Sequence, residues 1–424
     1  MDFSIINKFY KIDKQLIELS EEAYYNVQMQ FGQIEKIKNY NQLKVLKSFQ
    51  ENKVCDVHFS GTTGYGYSDV GRDTIEKIYS SMFKTQDSLV RIQFVSGTQA
   101  LSTMLFGVLR PQDTLLSITG SPYDTLLKVI GLKPGGNGTL MEYGINYKQI
   151  ELINNDFDYD SIRKCLLTDK SIKAIFIQRS RGYTQRRSLD INQIENICKN
   201  IKEYRDDVVI LVDNCYGEFT DISEPSEVGA DLIGGSLIKN PGGTIALTGG
   251  YISGRKDLVE KCADRLFSPG MGKETGPSLG FNRYILQGLF YAPHIVAESL
   301  KISVWSSYLL EKLGFSTSPK YNEKRSDIVQ SITFYSEKKL IEFCKGIQQG
   351  CPIDSIYEPE PWDMPGYSNQ VIMAAGSFVQ GASLELSCDA PIKEPYTAYL
   401  QGGWNFESGV IGILIGLQRI RKMC

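Results

Sequence analysis

Two side chains carry the chemistry this sequence offers first. Asp213 closes an apolar run, Leu211-Val212-Asp213-Asn214-Cys215-Tyr216. Lys239 sits in a Gly-rich turn, Ser236-Leu237-Ile238-Lys239-Asn240-Pro241-Gly242-Gly243. In open parallel sheets, ligands bind outside the carboxyl ends of the strands. A carboxylate and an amine delivered there by separate strands suit pyridoxal phosphate. The Asp keeps the pyridine nitrogen protonated, and the Lys holds the aldehyde as a Schiff base.

That cofactor also needs a phosphate cradle and a ring platform. Ser96-Gly97-Thr98 precedes a helical pattern, and a helix N-terminus attracts phosphate through free N–H groups and its dipole. Gly97 lets the backbone come close. Ser236, three residues before Lys239, offers a hydroxyl to the same phosphate. Tyr123, in Ser121-Pro122-Tyr123-Asp124-Thr125, follows a strand and offers a flat ring for stacking. Each piece alone reads as a cap, a turn or half-buried packing. Their order along the chain points to the cofactor.

The rest of the composition narrows the field. The 424 residues include 2 histidines and 9 cysteines. A His-rich metal centre is excluded, no C-x-x-C occurs, and no metal site is expected. The cysteines read as reduced intracellular thiols. The 46 basic residues are scattered among 49 acidic ones, with a net charge of −3, so no nucleic-acid or membrane footprint stands out. There is no G-x-G-x-x-G. Gly270-Met271-Gly272-Lys273 runs into Glu274 and lacks the P-loop's first glycine. The apolar stretch Val410–Leu417 is broken by Gly412 and Gly416 and falls far below the roughly 20 residues of a membrane span. The N-terminus shows no basic segment followed by an apolar core. A cytoplasmic protein is expected.

These residues must be positioned by an alternating pattern. Residues 1 to about 50 read as a surface helix pair, expected to pack on a partner subunit. Strands are expected at Arg91–Val95, Thr114–Thr119, Lys173–Gln178, Val208–Asp213, Asp231–Gly234 and Gly249–Ser253. Helices are expected after Thr98, near Asp160–Leu167 and over Ile191–Tyr204. Short buried strands alternating with amphipathic helices predict an α/β fold with a largely parallel sheet. Beyond residue 300, strands at Asp327–Phe334, Val371–Ala375 and Ser383–Ser387, helices near Glu337–Gln348 and Val410–Met423, and a Pro/Gly-rich stretch from Glu358 to Gly366 suggest a smaller α+β domain. The expected division is a helical interface arm over 1–55, a large cofactor-binding α/β domain over 56–300 and a small domain over 301–424.

The chain resembles fold-type I pyridoxal-phosphate enzymes of cysteine and methionine metabolism. Val212–Tyr216, Ser236–Lys239 and Ser96–Thr98 match the broad group. Gly64-Tyr65-Gly66-Tyr67 through Arg72, Gln178 through Tyr183, and Tyr399-Leu400-Gln401-Gly402-Gly403 are similar to its methionine γ-lyase-like or aluminium-resistance branch, assigned to cystathionine β-lyases. The resemblance spans roughly residues 55 to 424. It implies a large, mostly parallel sheet domain of the seven-stranded type and a small C-terminal α+β domain. It implies a carbon–sulfur lyase (cystathionine β-lyase or methionine γ-lyase-like) that converts a sulfur amino acid into a keto acid, ammonia and a thiol. Lys239 would form the Schiff base and later carry the proton. Asp213 would face the pyridine nitrogen, and Tyr123 would stack on the ring and assist proton traffic. Gly97, Thr98 and Ser236 would hold the phosphate. Tyr67-Ser68, with Arg72 nearby, would reach the phosphate from a neighbouring subunit. The active site is then shared within a homodimer or homotetramer.

Three positions depart from the group's pattern. Asp69 stands where an Arg often follows Tyr-Ser, Ile238 replaces a Thr, and Glu385-Leu386-Ser387 replaces an Arg-Leu-Ser whose arginine clamps the substrate carboxylate. Arg179, Arg181 and Lys393 are the candidate replacement cations. The alternatives are a transaminase or aldolase on the same scaffold, or a cofactor-binding protein without lyase activity acting in metal stress.

Overall fold

The N-terminal polar caps and apolar stripes do what their spacing dictates. In the computed structural model, which describes residues 1–364 and 369–423, Asp13 caps α1 (Lys14–Asn26) by accepting the N–H of Gln15, and α2 (Gln28–Glu51) follows. Their buried stripe (Leu16, Ala23, Val27, Phe31, Ile34) packs inward on the same chain. Phe3 stacks on Trp305 at 6.3 Å, and the Trp305 indole N–H donates to the Ser20 carbonyl at 3.1 Å. Tyr25, Met29 and Leu43 stay exposed on the outer face.

After α3 (Val70–Phe83), the chain builds a seven-stranded sheet from β1 (Asp87–Arg91), β2 (Thr114–Ser117), β3 (Asn146–Gln149), β4 (Ile172–Gln178), β5 (Val209–Asp213), β6 (Leu232–Ser236) and β7 (Gly250–Gly254). The spatial order is β1-β7-β6-β5-β4-β2-β3. β7 runs antiparallel to both its neighbours, while β3, β2, β4, β5 and β6 are mutually parallel. Helices α4 (Gly97–Val108), α5 (Asp124–Ile130), α6 (Tyr159–Thr168), α7 (Ile191–Tyr204) and α8 (Lys256–Leu266) cross between strands. Covered on both faces, the central strands become continuous apolar runs such as Ala174-Ile175-Phe176-Ile177, all buried.

The 31-residue α9 (Asn282–Lys312) runs without a break through the expected junction at residue 300. It leads to a five-stranded antiparallel sheet of β8 (Ser316–Ser318), β9 (Gln330–Thr333), β10 (Val371–Ala375), β11 (Ser387–Pro391) and β12 (Thr397–Gln401), ordered β10-β11-β12-β9-β8. Helix α10 (Glu337–Gln349) packs on it, and α11 (Phe406–Arg421) packs on α10 and α9. Helices α10 and α11 cross closely because Gly346 lies against Gly416; a Cβ on Gly346 would fall 2.3 Å from the Gly416 Cα. The fold is that of fold-type I pyridoxal-phosphate enzymes: a large, mostly parallel sheet joined to a small α+β unit. Among the described residues, no helix is long and apolar enough to cross a membrane.

Two strands sit elsewhere than expected. Arg91–Val95 is not a strand: β1 ends at Arg91, and Val95 is 78% exposed. Polar residues disguise β1. Ser88 is buried because its Oγ accepts from Ser80, and Arg91 because its Nε donates to Glu76 at 2.8 Å. Likewise, β11 begins only at Ser387, the last residue of the expected Ser383–Ser387 strand. Leu384 and Leu386 there are buried, but the segment turns, with the N–H groups of Gly403 and Trp404 both donating to the Leu384 carbonyl. The last helix starts at Phe406, about one turn before the expected Val410, because Asn405 caps it through the Ser408 N–H. Gly366, at the end of the Pro/Gly-rich stretch, lies outside the described residues.

Candidate active site

The parallel strands end at one edge of the large sheet, and the chemistry-bearing residues follow those ends. Asp213 closes β5, in register with Gln178 of β4 and Gly234 of β6. Ser236 closes β6, and Lys239 follows just before a 3-10 turn over Asn240–Gly242. The Asn240 amide fixes that turn by donating to the Glu218 carbonyl at 2.9 Å. A cavity of about 620 Å³ opens there, and Gly97, Thr98, Tyr123, Asp213, Ser236 and Lys239 all line it.

One end of the cavity is formed by the N-terminus of α4, which Ser96 caps through the Gln99 N–H at 3.1 Å. A Cβ on Gly97 would lie 3.2 Å from the Ser236 Cβ and 3.6 Å from the Cys215 Sγ. The glycine therefore keeps open a narrow space between a helix N-terminus and a buried serine. The Thr98 Oγ1 accepts from the Tyr123 hydroxyl at 3.0 Å and lies 2.9 Å from the Thr125 Oγ1. Tyr123 is also held from behind, its N–H donating to the Gln178 Oε1 at 2.9 Å.

The electrostatics concentrate at the other end. Burial pushes the Asp213 carboxyl above its ordinary value, while Lys239, the Cys215 N–H and Arg186 pull it back. The Cys215 N–H donates to the Asp213 Oδ1 at 3.1 Å. The Lys239 ammonium lies 3.8 Å from the centre of the Tyr216 ring. Burial opposes its charge, but Tyr216, Cys215 and Asp213 outweigh that and hold the amine above its usual range. Tyr216 reaches this place through a left-handed backbone, with φ of 71°; strained non-glycine residues cluster at functional sites. Burial also raises the Tyr123 and Cys215 acidities' midpoints.

The candidate substrate cations fare differently. Arg179 does not line the cavity. Its guanidinium is buried behind β5, donating to the Asn214 Oδ1 at 2.8 Å, the Gly217 carbonyl at 2.9 Å and the Thr220 Oγ1 at 3.3 Å, with Glu224 3.5 Å away. Arg181 touches the cavity, but its guanidinium is spent on the carbonyls of Ser318 and Arg186 and the hydroxyls of Ser318 and Ser331. Lys393 lines the cavity and is exposed.

Tyr67 and Arg72 do not line this chain's cavity. Tyr67 is 56% exposed and stacks on Tyr65, while the Arg72 Nη1 donates to the carbonyls of Gly66 and Gly276. Asp69 is buried as the cap of α3, accepting from the Arg72 N–H at 2.9 Å and the Asn282 Nδ2 at 3.1 Å. Ile238 lines the cavity as an apolar neighbour of Lys239. Glu385 is buried and accepts from the N–H groups of Phe378 (2.6 Å) and Val379 (2.9 Å) and from the Trp404 indole (3.0 Å).

The family model for methionine gamma-lyase matches residues 16–421. The chain belongs to that family. The carbon-sulfur lyase involved in aluminum resistance from Clostridium novyi NT shares 52% identity, with a TM-score of 0.93 over 96% of each chain. The uncharacterized protein YnbB of Bacillus subtilis (strain 168) is 49% identical over 376 residues, 88% of this chain and 89% of that one. The pyridoxal-5'-phosphate dependent protein YhfS from Escherichia coli, at 17% identity and a TM-score of 0.63 over 92% of this chain and 97% of that one, shares the fold alone.

Further residues in or beside the cavity bear on the site although the sequence alone assigned them no role: Gln178, Asp389 and Gln401 line it, and Arg186 lies outside its lining. Gln178 positions Tyr123, and its place at the end of an expected strand was a usable signal. Arg186 faces Asp213 electrostatically, with burial pushing it down to about 10. Asp389 and Gln401 enter the cavity from β11 and β12.

Proposed function

We propose that the chain is a pyridoxal-phosphate-dependent carbon–sulfur lyase that acts on a sulfur-containing amino acid and yields a keto acid, ammonia and a thiol. The supporting observation is that an amine (Lys239), a buried carboxylate (Asp213), a ring (Tyr123) and a glycine-floored helix N-terminus (Gly97, Thr98) line a single cavity at the strand ends. These residues fit the cofactor. Lys239 would hold the aldehyde, Asp213 the ring nitrogen, Tyr123 the ring face, and Gly97, Thr98 and Ser236 the phosphate. Bound there, the cofactor supplies an electron sink for the substrate's α-carbon.

The chain's own residues do the remaining work. The Lys239 amine takes the α-proton and must be neutral to do so. Asp213 is one of the groups that keep it charged; committing that carboxylate to another cation shifts the amine toward its neutral form. Tyr216 holds the amine in place through its ring face. Tyr67 would come from a second copy, since it lies outside this chain's cavity. Mixing inactive Lys239→Ala and Tyr67→Ala proteins is then expected to restore partial activity; no restoration refutes the shared site.

The lyase reading is tested with the cofactor-loaded protein and a panel of sulfur amino acids. Keto acid, ammonia and thiol are expected in equal amounts, with Lys239→Ala folded but inactive. Keto acid without ammonia would establish transamination instead. Protein that binds the cofactor yet leaves every compound intact would support a binding role.

A further inference from the structure

The small-domain wall of the cavity presents an anion where the family resemblance leads one to expect a cation. Asp389 of β11 lines the same cavity as Lys239 and is only 9% exposed. Its Oδ2 accepts from the Gln401 Nε2 at 3.4 Å, the Tyr183 side chain also steadies the carboxylate, and among the described residues its Oδ1 has no well-formed hydrogen bond. A buried carboxylate oxygen without a donor is unfavourable, and such groups in native proteins ordinarily have a partner. The cations lining the cavity do not provide one, Lys393 lying exposed at its mouth. Arg181 is committed to Ser318, Ser331 and Arg186, and Lys133 pairs with Asp124. Lys239 is reserved for the cofactor in the function proposed above, on which this inference rests.

We propose that Asp389 and Gln401 form a subsite for a cationic tip on the substrate's side chain. The site then takes amino acids whose thioether arm ends in an ammonium in preference to those whose arm ends in a carboxylate. An ammonium supplies N–H donors to both Asp389 and the Gln401 amide oxygen. A carboxylate would be buried against a like charge. Asp389 is suited to the task at neutral pH. Burial pushes its carboxyl up to about 6, against the pull of Tyr183, Gln401 and Lys239; Tyr216 and Cys388 also face it. It is ionised above that value and loses its charge as pH falls through it.

Three probes of similar length separate tip charge from tip size: S-propyl-, S-(2-aminoethyl)- and S-carboxymethyl-L-cysteine. Their dissociation constants for the cofactor-loaded protein are read from the cofactor's absorbance change at about pH 7.5. The aminoethyl compound is expected to bind at least about tenfold more tightly than the propyl one, and the carboxymethyl compound most weakly. Asp389→Asn, which keeps the shape and an acceptor for Gln401, is expected to bring the aminoethyl and propyl compounds within about threefold of each other. The unmodified protein at about pH 5.5 should lose the preference in the same way, with no dependence on how the variant folds. Equal affinities, no measurable binding of the aminoethyl compound, or a preference that survives both Asp389→Asn and low pH would overturn the proposal. Thiol release separates the two readings. Preferential binding without thiol release sinks the lyase and keeps the subsite, whereas thiol release from all three at equal affinity sinks the subsite alone.

Discussion

Gly97→Ala is a perturbation whose effect on the cofactor and effect on folding come apart. The added methyl would lie 3.2 Å from the Ser236 Cβ and 3.6 Å from the Cys215 Sγ. Ser236 needs to yield by only a few tenths of an ångström, and the Cys215 distance is an ordinary contact. Gly97 is the first residue of α4, with Ser96 as its cap, and alanine there gains up to about 1 kcal/mol of helix propensity. The cofactor-free protein should therefore keep its stability within about 1 kcal/mol. The methyl nevertheless fills the space between the helix N-terminus and Ser236, where a phosphate would accept N–H groups. Loss of one charge-assisted hydrogen bond amounts to about 1.5–3 kcal/mol, which is roughly a 10- to 150-fold weaker affinity. Titration of the cofactor-free protein with pyridoxal phosphate, followed by absorbance, measures the affinity, and urea unfolding without cofactor measures the stability. An affinity within about threefold of the original would show that the phosphate does not sit on this helix. A large loss of stability would show that the methyl acts through the fold.

Other consequences are as direct. Glu218 is buried, with Oε1 accepting from the Tyr251 hydroxyl at 2.8 Å and Oε2 unpartnered, and burial pushes its carboxyl up to about 8. Its folded value lies above its unfolded one, so its stability contribution is complete below the unfolded value and is lost as pH rises through about 8. Between about pH 6 and 9 the parent chain should lose on the order of 2–3 kcal/mol more than Glu218→Gln in urea unfolding; parallel pH curves would refute this. Glu385→Arg, which restores the group's usual residue, should orphan three donors (Phe378, Val379 and Trp404) and cost about 3 kcal/mol or more in thermal unfolding without improving affinity for amino acids; a tighter-binding variant would contradict it. Lys393 is exposed at the cavity mouth, so Lys393→Ala should weaken amino-acid binding by no more than about tenfold, an effect that disappears at high salt. A larger, salt-independent loss would place the substrate's carboxylate deeper than the mouth.

How much of this was legible in the sequence depends on what fixes each residue. Asp213, Ser236, Lys239 and Gly97 were legible because strand ends and a helix start leave local signals. Those same boundaries carry the residues to one edge of the sheet. The arginines were not. Arg179 and Arg181 sit two residues apart just beyond β4, yet one turns behind β5 toward Asn214 and Glu224 while the other reaches the small domain at Ser318 and Ser331. Their fates are decided by acceptors far along the chain, which periodicity cannot report. The error over β11 had a sharper consequence. The expected strand at Ser383–Ser387 held the buried leucines and stopped short of Asp389, whereas the strand Ser387–Pro391 carries Asp389 on the cavity wall. An aspartate inside a buried strand disagrees with local propensity, and such disagreements between levels gather at functional sites.

The acidic residues on the small-domain side have opposite electrical fates, and the contrast bears on specificity. Glu385 is buried, which raises its carboxyl, but two backbone N–H groups and an indole answer it. It organises the loop at Phe378–Val379 and is spent there. Asp389, a few residues later on the same segment, has a long hydrogen bond from Gln401, a weaker pull from Tyr183, and, among the described residues, no well-formed hydrogen bond to its Oδ1. With Glu385 satisfied internally and outside the cavity lining, Asp389 is the buried charge on this wall, and Lys393 stays at the exposed mouth. A substrate that brings a positive charge to this wall completes the site's hydrogen bonding; one that brings a negative charge must be held at the exposed mouth, where solvent screens it. On the function and subsite proposed here, the reaction rests on the residues at the strand ends of the large sheet, and the choice of substrate on β11 and β12 of the small one.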